Sequence, residues 1–228
     1  FHDWILDYRT DGQGVTRERT MVELKKLDVG YGYTADGGKT YPFRGKGVGL
    51  MPTLQEVLDY FPDRSFLIHI KSDDPEEGEL MAGFLRTLPA ERLACLTVYG
   101  GDRPVAVLKE RLPQLRVMSK ATLKKALLSY ALLGWTGYIP PAIRGTQLHL
   151  PLKYARFFWG WPHRFLARMK AVDTRIILVL GDGKWSEGFD RVEDLQQLPA
   201  HYTGGLWTNR IDRIGPVFTV RPARPDQH

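Results

Sequence analysis

The chain is most informative first for what it lacks. Cys95 is the single cysteine among 228 residues. One thiol excludes an internal disulfide framework and a cysteine-based metal site, so Cys95 reads as a small hydrophobe. No apolar run approaches the about 18 residues that a transmembrane helix needs. There is no arginine-rich arm, zinc-finger spacing or aromatic RNA-binding signature. The formal charge of +6 suits an anionic partner such as a phosphate ester or a membrane surface. Without those motifs, nucleic acid is not an expected partner. The first residues, "FHDWILDYRT", contain no methionine and no signal-peptide pattern. The expectation is a chain whose start was removed, or a part of a longer one.

What is present falls into two textures. Residues 1–50 are rich in Gly, Thr, Asp and Tyr, which are loop signals. One short helix is expected there, with Thr20 and Glu23 as a capping box and Leu24 and Leu27 following. So long a loop region points to functional use. From Met51 the pattern becomes regular. Thr53 and Glu56 form a second capping box before Leu54, Val57, Leu58 and Phe61. Short apolar runs then alternate with helical periods six times: "SFLIHI", "LACLTVYG", "LRVMS", "TQLHLPL", "TRIILVL" and "GGLWTN". Runs apolar at successive positions mark parallel strands buried on both faces. Asp74 caps the helix after the first strand, and Asp190 with Glu193 is expected to cap the one before the last.

Six units are too few for an eight-stranded barrel. An open nucleotide-binding sheet would want a glycine-rich phosphate loop after an early strand, and none follows. An eight-unit barrel lacking its first strands fits better. No composition shift marks a domain boundary, so residues 1–228 read as one partial barrel domain.

Several segments carry a family resemblance: "FHDWILDYRTDGQGVTRERT", "GLMPTLQEVLDYFPD", "FLIHIKS" and "GGLWTNRID". In this order the sequence resembles the glycerophosphodiester phosphodiesterases. The resemblance implies a (β/α)8 TIM barrel of the PLC-like phosphodiesterase type, with the first one or two strands missing from this chain. It also implies metal-dependent hydrolysis of glycerophosphodiesters to glycerol 3-phosphate and an alcohol. The alternative is a truncated, non-catalytic remnant that binds or scaffolds.

Phosphodiester hydrolysis requires neutralised phosphoryl charge, an oriented nucleophile and a proton for the leaving oxygen. On the resemblance His2 is the catalytic general acid, with Asp3 supporting it or the substrate. His69 and Lys71 lie two apart on a strand, so they share one face. Lys71 can bind a phosphate. His69 stands where the family usually holds a carboxylate metal ligand. The implied cofactor is a divalent metal, Mg or Ca, although an imidazole at 69 would shift preference away from these oxygen-seeking ions. Asn209 is a further substrate-binding candidate. Asp182 is more simply a turn residue. His149, His163, His201 and His228 sit in no motif and receive no role. The aromatic run Phe157–Trp161, with Phe165 beyond it, could line a lipid pocket, touch a membrane surface or join the core. The expected substrate is a glycerophosphodiester or a lysophospholipid. The expected location is the cytoplasm or a membrane periphery.

Overall fold

The computed structural model describes residues 1–181 and 187–219, so Asp182 and His228 lie outside the described residues. The chain divides into two compact units, Phe1–Arg64 and Ser65–His228.

The first unit is mostly turns, as its composition predicts. Both capping boxes form. Thr20 and Glu23 cap α1 (Met21–Leu24), which stops short of Leu27, and Thr53 and Glu56 cap α2 (Leu54–Tyr60). Leu6, Leu24 and Met51 make a small apolar cluster. The centre of the unit is Asp28, a buried carboxylate. Its oxygens accept the backbone N–H groups of Gly30 at 2.9 Å, Gly45 at 2.5 Å and Gly47 at 2.9 Å. Charge-assisted bonds of this kind are about twice as strong as neutral ones. They hold the Asp28 carboxyl below its usual range, the Gly45 amide contributing most. Position 47 must be glycine, since a Cβ there would lie 2.3 Å from the Gly30 nitrogen and 2.6 Å from Asp28 Oδ1.

The second unit contains the regular alternation. Its strands are β1 (Phe66–Ile70), β2 (Leu96–Gly100), β3 (Arg116–Ser119), β4 (Gln147–Pro151), β5 (Arg175–Val179) and β6 (Gly205–Leu206). Its helices are α3 (Pro75–Leu85), α4 (Ala90–Ala94), α5 (Asp102–Arg111), α6 (Lys120–Leu133), α7 (Leu152–Ala155), α8 (His163–Ala171) and α9 (Ile211–Thr219). Every strand pairing is parallel. The described strands form two three-stranded sheets, β1-β2-β3 and β4-β5-β6, and do not close into a ring. Side chains tie β3 to the β4 region: the Thr146 hydroxyl donates to the Val117 carbonyl at 2.6 Å, and Arg116 donates to the Asp173 carbonyl at 2.6 Å.

Register explains why the strands read as unbroken apolar runs. On one face Leu96, Val98, Leu148, Leu150 and Leu178 are fully buried. Each such side chain contributes roughly 1.5–3 kcal/mol. The main cluster gathers Tyr130, Phe158, Phe165 and Met169 behind β4 and β5. Tyr130 and Phe165 meet edge to face at 5.3 Å. The opposite face carries the polar side chains described below.

Three local expectations change. The helix α4, one turn between α3 and β2, has too short a period to be visible in sequence. The segment Val192–Gln197 is a 3-10 helix, and its reciprocal cap is Arg191 with Asp194, not Asp190 with Glu193. The Asp190 carboxylate is already taken, accepting from the Thr208 hydroxyl at 3.1 Å and the Asn209 N–H at 2.7 Å. Pro162 precedes α8 as its N-cap instead of standing in its first turn.

Candidate active site

Strand β1 puts His69 and Lys71 on the same face, as their spacing predicts, and both line a cavity of about 700 Å³. Parallel pairing sets His69 beside Tyr99 of β2. The two rings stack at 4.4 Å, tilted by 8°. Tyr99 meets His149 of β4 edge to face at 5.5 Å, and His149 meets Trp207 the same way at 5.4 Å. A continuous row of rings therefore crosses the inner face from β1 to the end of β6. The period of two in "QLHLP" places Gln147 and His149 as the period in "IHIK" places His69 and Lys71. That alternation was the signal that could have found His149.

Burial pushes the His149 imidazole down to about 4, so it is neutral near pH 7. Gln147 Nε2 lies 3.2 Å from His149 Nε2. An amide nitrogen only donates, so His149 accepts there and keeps its proton on Nδ1. Burial also raises the Tyr99 phenol, which keeps it protonated. The Trp207 indole N–H is buried with no hydrogen-bond partner among the described residues. Leaving such a donor unpaired costs about 1–3 kcal/mol.

Cations gather at the strand ends: Lys71, Lys120 and Lys124 all line the cavity. Gly100 and Gly101 let the β2 end pass close to the β1 end. A Cβ on Gly100 would lie 2.0 Å from the Ile70 carbonyl, and one on Gly101 2.2 Å from that of Ser72. The carboxylates on the rim are engaged. Asp73 accepts from the Arg103 N–H at 2.9 Å and its guanidinium at 3.0 Å, and Asp102 accepts from the Ala121 N–H at 3.2 Å.

The divalent metal expected at His69 is not matched by this donor set. Among the described residues no three His, Cys, Asp or Glu side chains gather as a metal site. His69 has a cation two residues away and a ring on its face.

His2 and Asp3 belong to the first unit, where His2 Nδ1 is 2.8 Å from Asp3 Oδ1. The Arg9 guanidinium stands 3.6 Å from Asp3 Oδ2, and the Thr16 hydroxyl donates to the Asp3 carbonyl at 2.8 Å. Asn209 is two residues past Trp207, and its side-chain amide donates to Asp190 at 3.1 Å. Burial works against the Asp190 charge, but the Asn209 and Thr208 bonds hold its carboxyl below the usual range. The aromatic run splits. Phe158 and Phe165 are buried in the core, and Phe157 and Trp159 are exposed.

Parallel strands with helices packed on one face and a lysine-bearing cavity at their C-terminal ends define a TIM-barrel-like α/β fold. The fold matches the glycerophosphoryl diester phosphodiesterase domain of a Mycobacterium tuberculosis protein. That match has a TM-score of 0.59 and 15% identity, covering 86% of this chain and 74% of the other. It also matches a glycerophosphodiester phosphodiesterase from Agrobacterium tumefaciens, with a TM-score of 0.52 and 18% identity over 81% of this chain and 68% of that one. In sequence, a glycerophosphodiester phosphodiesterase of Bacillus subtilis is 40% identical over 81 residues, 34% of this chain and 26% of its own length. One from Caldanaerobacter subterraneus is 37% identical over 70 residues, 31% of this chain and 25% of its own length. The matched stretches thus span about a quarter of these curated relatives. No family model matches the chain. The sequence likeness is thus to glycerophosphodiester phosphodiesterases over about a third of this chain, and the structural likeness is one of fold.

Proposed function

We propose that this chain serves the hydrolysis of glycerophosphodiesters to glycerol 3-phosphate and an alcohol, and that the cavity of the second unit binds the phosphoryl group. The observation that carries the proposal is that Lys71, Lys120 and Lys124 all line one cavity. Water adds to phosphorus, the bond to the alcohol oxygen breaks, and that oxygen takes a proton. Lys71 offsets charge on the phosphoryl oxygens, which grows towards the transition state. The Trp207 N–H, unpartnered among the described residues, and the His149 Nδ1–H offer donors to substrate oxygens. His69, stacked on Tyr99, presents a second imidazole beside Lys71. His2 is carried as the general acid on the resemblance, with Asp3 orienting its ring. Asn209 is carried as a substrate residue on the same ground. A divalent metal, Mg or Ca, would need oxygen ligands that the described residues do not gather at His69, and no step is drawn through it. The finer architectural reading belongs to the same proposal: one barrel domain over 1–228, its first one or two strands not among these residues.

The test is release of glycerol 3-phosphate from glycerophosphocholine, measured with and without added divalent metal. Lys71→Ala should lower kcat/KM by about 10²-fold, the scale for losing one group that stabilises developing charge. Activity equal in the wild-type chain, Lys71→Ala and His2→Ala would refute both assignments. A second reading, a binding module without catalysis, is favoured because the described residues gather no three-ligand cluster at His69. It predicts phosphodiester binding that depends on Lys71 with no turnover.

A further inference from the structure

Charge along this chain is strongly segregated. From Arg111 to Val172 there are eleven lysines and arginines and no aspartate or glutamate. The remaining residues are net −5. The acid-free stretch covers β3, α6, β4, α7 and α8. Lys120, Lys124, Lys125, Lys153, Arg156, Arg164 and Lys170 within it are exposed.

The same elements expose large apolar side chains. On α6 the positions Lys120, Lys124, Leu128 and Leu132 recur every four residues, so they form one stripe. Its first half is cationic and its second half is leucine, 62% and 64% exposed at positions 128 and 132. Trp135, just beyond the helix, continues it at 67%. Phe157 and Trp159 lie in the loop between α7 and α8 and are also exposed. That loop is tied to α6, since the Tyr130 hydroxyl donates to the Trp159 carbonyl at 3.1 Å. The Arg156 guanidinium sits 4.9 Å from the Phe157 ring and Lys153 Nζ 5.8 Å from the Tyr154 ring. The surface runs to the cavity, whose wall includes Lys124, Leu127 and Tyr154.

We propose that this face, the α6 stripe with the loop between α7 and α8, docks on an anionic lipid bilayer. Cations on elements that carry no acid of their own match a negative headgroup layer, and indole and phenol rings suit its boundary with hydrocarbon. The leucines decide against nucleic acid, because aliphatic side chains add nothing to phosphate or base contacts in an extended groove. They gain free energy by entering acyl chains. No described helix is long and apolar enough to cross a membrane, so the contact is with the surface. The proposal does not depend on catalysis, and its test reads binding alone.

The full chain is sedimented with vesicles of phosphatidylcholine and with vesicles of phosphatidylcholine plus phosphatidylglycerol. Binding is expected only to the second and should fall as salt rises. Lys124→Gln and Lys125→Gln should each weaken it about fivefold, the value of one cation at such a surface. The triple variant Leu128→Ser, Leu132→Ser, Trp159→Ala alters exposed positions only and should abolish retention while far-ultraviolet circular dichroism stays unchanged. Equal retention by both vesicles overturns the proposal. So does retention that the charge variants lose and the apolar variant keeps, which would assign the face to a soluble polyanion. Absence of vesicle binding, with a dimer that the apolar variant dissolves, overturns it in favour of self-association.

Discussion

The two units reach order by different means. The first has a three-residue apolar cluster and is organised around a buried carboxylate that collects glycine amides. The second buries thirteen residues in its main cluster and directs its polar side chains to one face of two parallel sheets. Backbone geometry is thus specified by side-chain hydrogen bonds in one unit and by apolar periodicity in the other. The contrast teaches where each is vulnerable. A carboxylate-centred turn region fails when its acceptor is protonated or its glycines are filled. A layered β/α region fails when its core is emptied.

The largest expected effect tests that contrast directly. Phe165 is fully buried against Tyr130, Phe158 and Trp161. Phe165→Ala should cost roughly 3–5 kcal/mol in urea unfolding of the full chain. Leu6→Ala in the small cluster should fall at the low end of the range for leucine, about 2 kcal/mol, because its surroundings can collapse. Equal losses would show that the small cluster is as tightly determined as the large one.

Acid should separate the units in an order that a count of carboxylates would reverse. His149 has an ordinary value of 6.5 and is held at about 4 by burial. Between those values the unfolded chain binds the proton that the folded chain refuses. Stability therefore falls as pH drops through this window, by roughly 3 kcal/mol in all. In the first unit Asp36 is held at about 2, mainly by the Thr40 hydroxyl, and Glu56 at about 2, mainly by Lys25. Their contributions are present above the ordinary values of 3.8 and 4.5 and are lost only as pH falls from there towards about 2. Hydrogen exchange at pH 5 should show the second unit loosening first. His149→Gln should remove that early phase, and an unchanged profile would show that the histidine accepts its proton without cost.

Much of this was legible in sequence, and the failures have causes. The six strands, the two Thr-Glu capping boxes and the shared face of His69 and Lys71 follow from local periodicity, which neighbours in the fold reinforce. The Asp190 cap did not form, because its carboxylate is claimed by Thr208 and Asn209, about twenty residues away, and no local pattern reports such competition. His149 was missed for the related reason that its meaning depends on Tyr99 and Trp207, which only sheet pairing brings to it. The splitting of "FFWGW" between core and surface was likewise invisible, since alternation in a turn has no fixed period.

The smallest effect sharpens the comparison most, because the same chemical deletion can be made in both units. Thr53 caps α2 and Ser119 caps α6, each accepting an amide N–H from the helix's first turn. Thr53→Ala and Ser119→Ala should each cost about 1 kcal/mol, and Thr53→Gly only a few tenths. The global cost should be similar, but its distribution should not. Helix α6 also rests on Ala126 and Tyr130 in the main cluster, whereas α2 buries only Leu58. Losing the Thr53 cap should therefore raise amide exchange along all of α2, while losing the Ser119 cap should raise it only in the first turn of α6. Exchange confined to the first turn in both helices would mean that α2 is held by more than its cap and one leucine.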